Sequence, residues 1–227
     1  MTLVAGADVA KGRWVVVVLK DGRFKKAVVV ENLIQLRQCL GPVKILALDI
    51  PIGLPKGGSD WPRAADLEAR GFIGPRRSSV FPTPPRPVLD TTTYAEANNL
   101  HRELTGKGLS RQSWGLRERI LEAEFFVSEN PDTLEVHPEV CFCAMKGSPL
   151  PHPKKSWNGQ MERRSLLQSQ GIELPDQLTN AGVVPPDDLL DSAAAALTAW
   201  RVTMGTAGVL PKSAAGCDTS RREVIWF

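Results

Sequence analysis

The sequence predicts a mixed α/β fold built on one five-stranded sheet. Three apolar runs open the chain, and the last two are separated by Asp21-Gly22, a dipeptide typical of hairpin turns. A short helical pattern follows at residues 31–40. Residues 43–50 are then almost continuously apolar, as a strand covered on both faces requires. Because the helix makes a crossover, the fourth strand is expected to run parallel to one of the first three.

The elements follow one another in a simple order. Strands are predicted at residues 2–7, 14–19, 24–30, 43–50 and 133–137. Helices are predicted at residues 31–40, 62–70, 93–104, 112–127, 160–170 and 187–203. Pro, Gly and Arg are frequent after residue 51, which is typical of a functional loop. We therefore expect a single domain over 1–227, with an insertion of loops and helices at about 51–130.

Composition excludes several classes of protein. Hydrophobic residues make up 42% and charged residues 23%, as in ordinary globular chains and unlike disordered ones. The net charge of +3 is too small to indicate nucleic-acid binding by itself. The four cysteines have no CxxC spacing and no secretory segment precedes them, so a reduced, cytoplasmic location is expected. No apolar run approaches the roughly 20 residues that span a bilayer, so no membrane association is expected.

Two acids stand at the ends of predicted strands. Asp8 lies just past the first strand, and Asp49 lies at the carboxyl end of the fourth. Ligands of open α/β sheets gather beyond the carboxyl ends of strands. Burying a carboxylate within an apolar run destabilises the fold unless a metal ion, an Arg or backbone N–H groups compensate its charge. The alternative is structural, because Asp commonly ends a strand or starts a turn.

The last helix carries three further acids. Two prolines and Asp187 are ordinary helix-start residues, with Asp187 read as the cap, and the helix dipole explains Asp188. Neither effect explains Asp191. Asp188 and Asp191 are three residues apart and so share a face, as two metal ligands must. The small side chains at 193–196 would let this helix lie close to the sheet; a capped acidic terminus remains the alternative.

Basic and aromatic residues surround these acids in the sequence. His137 could act as a general base or orient a water, or could be a simply hydrogen-bonded residue at a strand end. Trp61 and Phe81 could stack on bases or anchor loops to the core. Cationic side chains could neutralise a nucleic-acid backbone or a phosphorylated small molecule, or could be solvated loop residues paired with nearby acids. The substrate-binding candidates are Arg63, Arg70, Arg76, Arg77, Lys154 and Lys155.

Five segments of the chain share a pattern with a known family. They are residues 5–8 leading to Trp14, residues 48–54, residues 63–70 with 78–82, residues 135–139 and residues 187–191. In this order they resemble the DUF429 family, a domain of unknown function whose members are regarded as predicted nucleases of the ribonuclease H-like superfamily. The resemblance implies a ribonuclease H-like fold and spans nearly the whole chain. Val9 and Ser192 depart from the family pattern, and neither change removes a carboxylate.

The same architecture is similar to that of the Holliday-junction resolvases, in which acids on the first strand, the fourth strand and the final helix bind the catalytic metals. That similarity implies that Asp8, Asp49, Asp188 and Asp191 take those positions. Our hypothesis is that Asp8 bridges two ions, that Asp49 and Asp191 each hold one, and that Asp188 assists. Glu135 on the fifth strand is a further candidate ligand. An oxygen-only set suits Mg²⁺ or Mn²⁺. Resolvase-like relatives are often dimers, so a homodimer is an open alternative.

The predicted function is therefore a metal-dependent nuclease or phosphodiesterase, with two ions about 4 Å apart acting on a phosphodiester. A phosphotransferase of the actin and sugar-kinase type shares the first five elements, although glycine-bearing phosphate loops are not found. A non-catalytic nucleic-acid or protein binding module is the third alternative. DNA, RNA, a branched junction or a small nucleotide would all suit the predicted site.

Overall fold

A computed structural model describes residues 1–218 and 222–227, and its centre is a five-stranded mixed sheet. The strands are β1 (Leu3–Ala10), β2 (Arg13–Lys20), β3 (Arg23–Val30), β4 (Ile45–Leu48) and β5 (Thr133–Glu135). Their order across the sheet is β3-β2-β1-β4-β5. The first three strands are antiparallel neighbours, whereas β4 runs parallel to β1 and β5 runs parallel to β4. The predicted mixed α/β fold with an antiparallel meander and parallel strands is confirmed.

Two tight turns set the register of the meander. Lys11-Gly12 joins β1 to β2, and Asp21-Gly22 joins β2 to β3. All four residues have positive φ, at 50° and 75° in the first turn and 48° and 78° in the second. Two-residue hairpins of type I′ have this left-handed conformation at both central positions, and Gly adopts it without strain. The hairpin predicted at Asp21-Gly22 is confirmed.

Nine helices are found among the described residues. Five of them lie between β4 and β5 in the chain, where the insertion was predicted, and the helix predicted at 112–127 is two helices that meet at Leu116. They are α1 (Leu33–Leu40), α2 (Ala64–Phe72), α3 (Arg86–Leu89), α4 (Tyr94–Thr105), α5 (Arg111–Gly115), α6 (Arg117–Glu129), α7 (Pro138–Lys146), α8 (Trp157–Ser169) and α9 (Pro186–Thr203).

Both faces of the sheet are covered by helices. On β4, Ile45 and Ala47 belong to the core shared with α7 and α9, whereas Leu46 and Leu48 belong to the core shared with α1 and α6. This division follows from the strand geometry, in which successive side chains point to opposite faces. The continuously apolar run at 43–50 therefore does belong to a strand buried on both sides.

Helix α7 was not predicted from the sequence. It begins at Pro138 and ends before Gly147, which takes the left-handed conformation that closes many helices. Its residues from 138 to 143 are all buried, so the segment lacks the polar face that makes a helix recognisable. The predicted fifth strand at 133–137 is correspondingly shorter, and Val136 makes only an isolated bridge to Trp226.

The C-terminal segment completes this edge of the molecule. Strand β6 (Val209–Leu210) pairs antiparallel with β7 (Ile225–Trp226), and the bridge from Val136 to Trp226 continues the line of β5. Short 3₁₀ helices are present at Gly58–Asp60, Gly74–Ser79, Asn180–Val183 and Lys212–Ala214. Within residues 1–218 and 222–227, no helix combines the length and the apolarity needed to cross a membrane.

Candidate metal centre

Three carboxylates from distant parts of the chain meet at one edge of the sheet. Asp8 lies near the end of β1, Asp49 directly follows β4, and Asp191 lies in the second turn of α9. One carboxylate oxygen from each of the three side chains belongs to a group whose members all lie within 4.8 Å of one another. The structure thus brings together three of the acids that were predicted to share a site.

Strand pairing places Asp8 beside Asp49. Strands β1 and β4 are parallel neighbours with Ala7 opposite Leu48, and the backbone N–H of Asp49 donates to the carbonyl of Ala7 at 2.9 Å. Both acids therefore lie at the carboxyl ends of adjacent parallel strands, which is where open α/β sheets bind ligands.

Close packing of α9 against β1 carries Asp191 to the same edge. A Cβ atom on Gly6 would lie 2.0 Å from the backbone nitrogen of Ala196, so no side chain fits between this strand and the helix. The hydroxyl of Ser192 lies 3.0 Å from the carbonyl oxygen of Val15 on β2, across the same interface, and 2.8 Å from the carbonyl oxygen of Asp188 in its own helix. The predicted role of the small residues in this helix is consistent with that approach.

Burial and mutual repulsion disfavour the ionised forms of these acids. Asp8 is 7% exposed and Asp191 is 1% exposed. Burial, and then the charges of Asp49 and Asp191, hold the pKa of Asp8 well above its ordinary value. Burial, followed by the charge of Asp191, raises the pKa of Asp49 to about 8. A bound cation would reverse this effect because it favours the ionised carboxylates.

The two oxygens of Asp191 have different surroundings. Oδ2 accepts a hydrogen bond of 2.6 Å from Lys154 Nζ. Oδ1 is buried and has no hydrogen-bond partner within the part of the chain that the structure describes. Burial raises the pKa of Asp191, although the Lys154 charge opposes this shift. A buried acceptor without a partner is unfavourable, so Oδ1 is an unsatisfied group at this site.

Lys154 lies on the segment that connects α7 to α8, and 35% of its side chain is exposed. Its Nζ atom also lies 3.8 Å from Asp187 Oδ2. Burial alone would lower the pKa of Lys154, but Asp191, and then Asp49 and Asp8, raise it above the usual range. The ammonium group therefore stays charged beside the acids.

The two acids at the start of α9 occupy different positions. Asp188 faces the cavity described below but is not a member of the three-carboxylate group found among the described residues. Burial, and then the charge of Asp187, raises the pKa of Asp188 to about 6. The prediction that Asp187 caps the helix is wrong, because the N-cap residue is Pro185 and no side chain caps this end. Asp187 lies instead in the first turn, close to Lys154.

Glu135 and Arg63 bind each other. The Arg63 guanidinium donates to both oxygens of Glu135, at 2.7 and 2.8 Å, and to Asp66 Oδ1 at 2.5 Å. Glu135 Oε2 also accepts from the backbone N–H of Ile52 at 2.6 Å. Because these groups are buried and mutually satisfied, they fix the loop after β4. Both residues also line the cavity described below, where Glu135 was expected as a metal ligand and Arg63 as a substrate-binding residue; the structure shows them paired with each other.

The remaining basic candidates divide into two groups. Arg76, Lys154 and Lys155 border the cavity, and Arg76 Nε also donates to the carbonyl of Leu150 at 3.1 Å. Arg70 instead donates to the backbone carbonyls of Arg77 and Val80 and so fixes its own loop. Arg77 is exposed and does not line the cavity. Only the first group is placed to meet a ligand above the acids.

His137 and Glu139 form another side of the site. His137 Nε2 lies 3.3 Å from the carbonyl oxygen of Ser79, so this nitrogen carries the proton and Nδ1 is left as an acceptor. Nδ1 is buried and has no hydrogen-bond partner in the described part of the chain. Burial lowers the pKa of His137, which keeps the ring neutral.

Glu139 was not singled out from the sequence. It is 7% exposed; Oε1 binds the fully buried Arg163, and Oε2 has no hydrogen-bond partner among residues 1–218 and 222–227. An acid in the first turn of a helix that directly follows a strand would have marked it as a site residue. Because α7 itself was not predicted, this position of Glu139 could not be recognised from the sequence.

A cavity of about 530 Å³ connects these groups. It lies within the usual range of small-molecule sites, roughly 300–1,000 Å³. Its floor holds the three acids, and its walls include Phe81 and Leu116. Trp61 is not part of the lining, because its indole N–H donates to the carbonyl of Thr83 and its ring packs against His101. Phe81 is thus the one of the two aromatic candidates that faces the site.

The chain belongs to the family described as "Protein of unknown function (DUF429)", which it matches over residues 6–215. This confirms the family resemblance drawn from the sequence motifs. No curated protein and no solved structure matches the chain. The matched region includes Asp8, Asp49 and Asp191, and it also includes every cationic residue that borders the cavity.

Proposed function

We propose that this chain is a ribonuclease H-like, Mg²⁺- or Mn²⁺-dependent hydrolase of phosphodiesters. The main support for this proposal is that Asp8, Asp49 and Asp191 converge on a cavity at the carboxyl ends of parallel strands. The strand order, with a meander followed by two parallel strands, supports the fold assignment. The donor set supports the choice of ion, since hard divalent cations prefer carboxylate oxygens.

The fit of a metal ion rests on two features of the acids. Their oxygens are close enough to share one ion, and Asp191 Oδ1 is a buried acceptor with no partner in the described chain. A divalent ion held here would supply Lewis-acid chemistry by neutralising the negative charge that develops on the phosphoryl group. The same ion would relieve the repulsion that raises the pKa of Asp49 to about 8.

The other residues of the cavity support hydrolysis of a phosphate ester. Hydrolysis forms a bond between a water oxygen and phosphorus and breaks the bond from phosphorus to the ester oxygen, which takes a proton from solvent. His137 lines the cavity, and its Nδ1, a buried acceptor without a partner in the described chain, is the group that we propose takes the proton that the water loses. Lys155 and Arg76 supply positive charge for the non-bridging phosphate oxygens.

The proposal is tested by following cleavage of bis(p-nitrophenyl) phosphate and of single-stranded DNA and RNA oligonucleotides with Mn²⁺. Asp8→Asn and Asp191→Asn should each lower the rate at least about 10³-fold, because each removes a ligand charge. Asp60→Asn, at an exposed position outside the cavity, is the matched control and should keep full activity. Activity that survives either ligand substitution would contradict the proposal.

The same preparation separates the alternative functions. Transfer or release of phosphate from ATP without phosphodiester cleavage would support a phosphotransferase. Binding of an oligonucleotide without any turnover would support a binding module. Either result, with Mn²⁺ present and the protein folded, would overturn the proposed hydrolase.

A further inference from the structure

We propose that the centre binds a single divalent ion on Asp8, Asp49 and Asp191, and that the ammonium group of Lys154 takes the place of a second ion. This inference rests on the proposed function and replaces the two-ion arrangement predicted from the sequence. It gives Lys154 a role at the reacting phosphate that differs from general attraction of an anion.

The number of ligands favours one ion. One oxygen from each of the three acids lies within 4.8 Å of the others, which suits a shared ion with oxygen bonds of roughly 2.1 Å after small adjustments. A second ion about 4 Å away would need ligands of its own. Asp188 was expected to assist there, but it is outside the close group of described acids. Glu135 is held by Arg63 and by the backbone N–H of Ile52.

The two oxygens of Asp191 differ in their contacts. Its Oδ2 atom is 2.6 Å from Lys154 Nζ, whereas its Oδ1 atom is buried and lacks a partner within the described residues. The carboxylate therefore already faces one cation, and it is also a member of the three-acid group. In a two-ion centre, a bridging carboxylate would likewise face two cations.

Lys154 is also placed to reach a substrate. It borders the cavity, and 35% of its side chain is exposed. An ammonium group has three N–H donors, and in the described part of the chain one of them donates to Asp191. The others can donate to an oxygen of a phosphate that lies between Lys154 and the ion, where a second metal would otherwise stabilise charge.

The test is Mn²⁺ stoichiometry, measured by calorimetry and by electron paramagnetic resonance on the full chain. The wild-type protein should bind one Mn²⁺ without the spin coupling of an ion pair. Lys154→Met should bind its first Mn²⁺ at least fivefold more tightly and should accept a second, weaker ion. Lys155→Met is the matched control, because its side chain is exposed at the same cavity; it should still bind one ion.

Hydrolysis provides a second measurement. Lys154→Met should lose at least tenfold in kcat at one Mn²⁺ per chain and should recover in excess Mn²⁺, when a second ion occupies the lysine position. A coupled pair of ions in the wild-type protein would overturn the inference. So would a Lys154→Met variant, folded by circular dichroism, with unchanged affinity and stoichiometry. One bound ion without phosphodiester cleavage would overturn the proposed hydrolase but not the ion count, and absence of any bound ion would overturn both.

Discussion

Binding of Mn²⁺ at pH 7 should release protons from this protein. Asp49 has its pKa raised to about 8 in the metal-free chain, first by burial and then by the charge of Asp191. A group with this pKa is about 90% protonated at pH 7, so ionisation on binding should release about 0.9 proton from Asp49 alone. Asp8, whose pKa is raised in the same direction, should add to this number.

The sign of the pH dependence follows from competition between the ion and these protons. Below about pH 8 the Asp49 carboxyl must lose its proton before it binds metal. For each proton that the ion displaces, the affinity for Mn²⁺ should therefore rise about tenfold per pH unit between pH 6 and 8. Above pH 8 the contribution of Asp49 should level off. The raised pKa of Asp49 also means that the folded, metal-free chain holds a proton that an unfolded chain loses near pH 4. The free energy of unfolding without metal should therefore fall as the pH rises from about 4 to about 8.

Calorimetric titrations in two buffers with different ionisation enthalpies measure the released protons directly. Asp60→Asn is a suitable control, because Asp60 is exposed outside the cavity and its replacement should leave the proton release unchanged. A release near zero at pH 7, or an affinity that does not change between pH 6 and 8, would refute the argument that the acids are protonated in the empty site.

Two further predictions concern the framework, and chemical denaturation measures both. Gly6→Ala should lower the free energy of unfolding by about 3 kcal/mol, because the new Cβ would lie 2.0 Å from the backbone nitrogen of Ala196. The control Gly71→Ala, at an open position in α2, should be neutral or stabilising by up to about 1 kcal/mol; equal effects would contradict the packing argument. Arg163→Met should destabilise by about 3–5 kcal/mol because it leaves the buried carboxylate of Glu139 without its partner. Adding Glu139→Gln should restore part of that loss, and strictly additive effects would show that the pair is not coupled.

Local patterns were sufficient for the framework of the fold. Asp21-Gly22 marked a hairpin, and the run at 43–50 marked a doubly covered strand, because turn chemistry and burial each leave a signature within a few residues. The crossover rule predicted a parallel fourth strand but left open which of the first three strands it would pair with; the observed pairing with β1 is what brings Asp8 beside Asp49. Asp191 could be separated from its neighbours because neither capping nor the helix dipole accounts for an acid in the second turn.

Partner choice within the site could not be predicted in this way. Arg63 and Glu135 are 72 residues apart, and nothing in either local sequence shows that they bind each other. A carboxylate facing a metal and one facing a guanidinium have the same local pattern. The role of Lys154 was invisible for the same reason, since its partner Asp191 lies 37 residues away across an intervening helix.

Helix α7 shows a different limit. A helix buried on all sides has no polar stripe, so its sequence looks like that of a buried strand or a loop. Missing this helix concealed Glu139 and the position of His137 at its start. The error therefore affected the site more than it affected the architecture.

The contact between Ser192 and the carbonyl of Val15 joins residues that are 177 positions apart. Asp8 is synthesised before Asp191 and the helix that positions it. A chain that has not yet been made as far as α9 would present Asp8 and Asp49 without Asp191 and without Lys154 held against it. The order of synthesis thus delays assembly of the three-carboxylate cluster until α9 has been made.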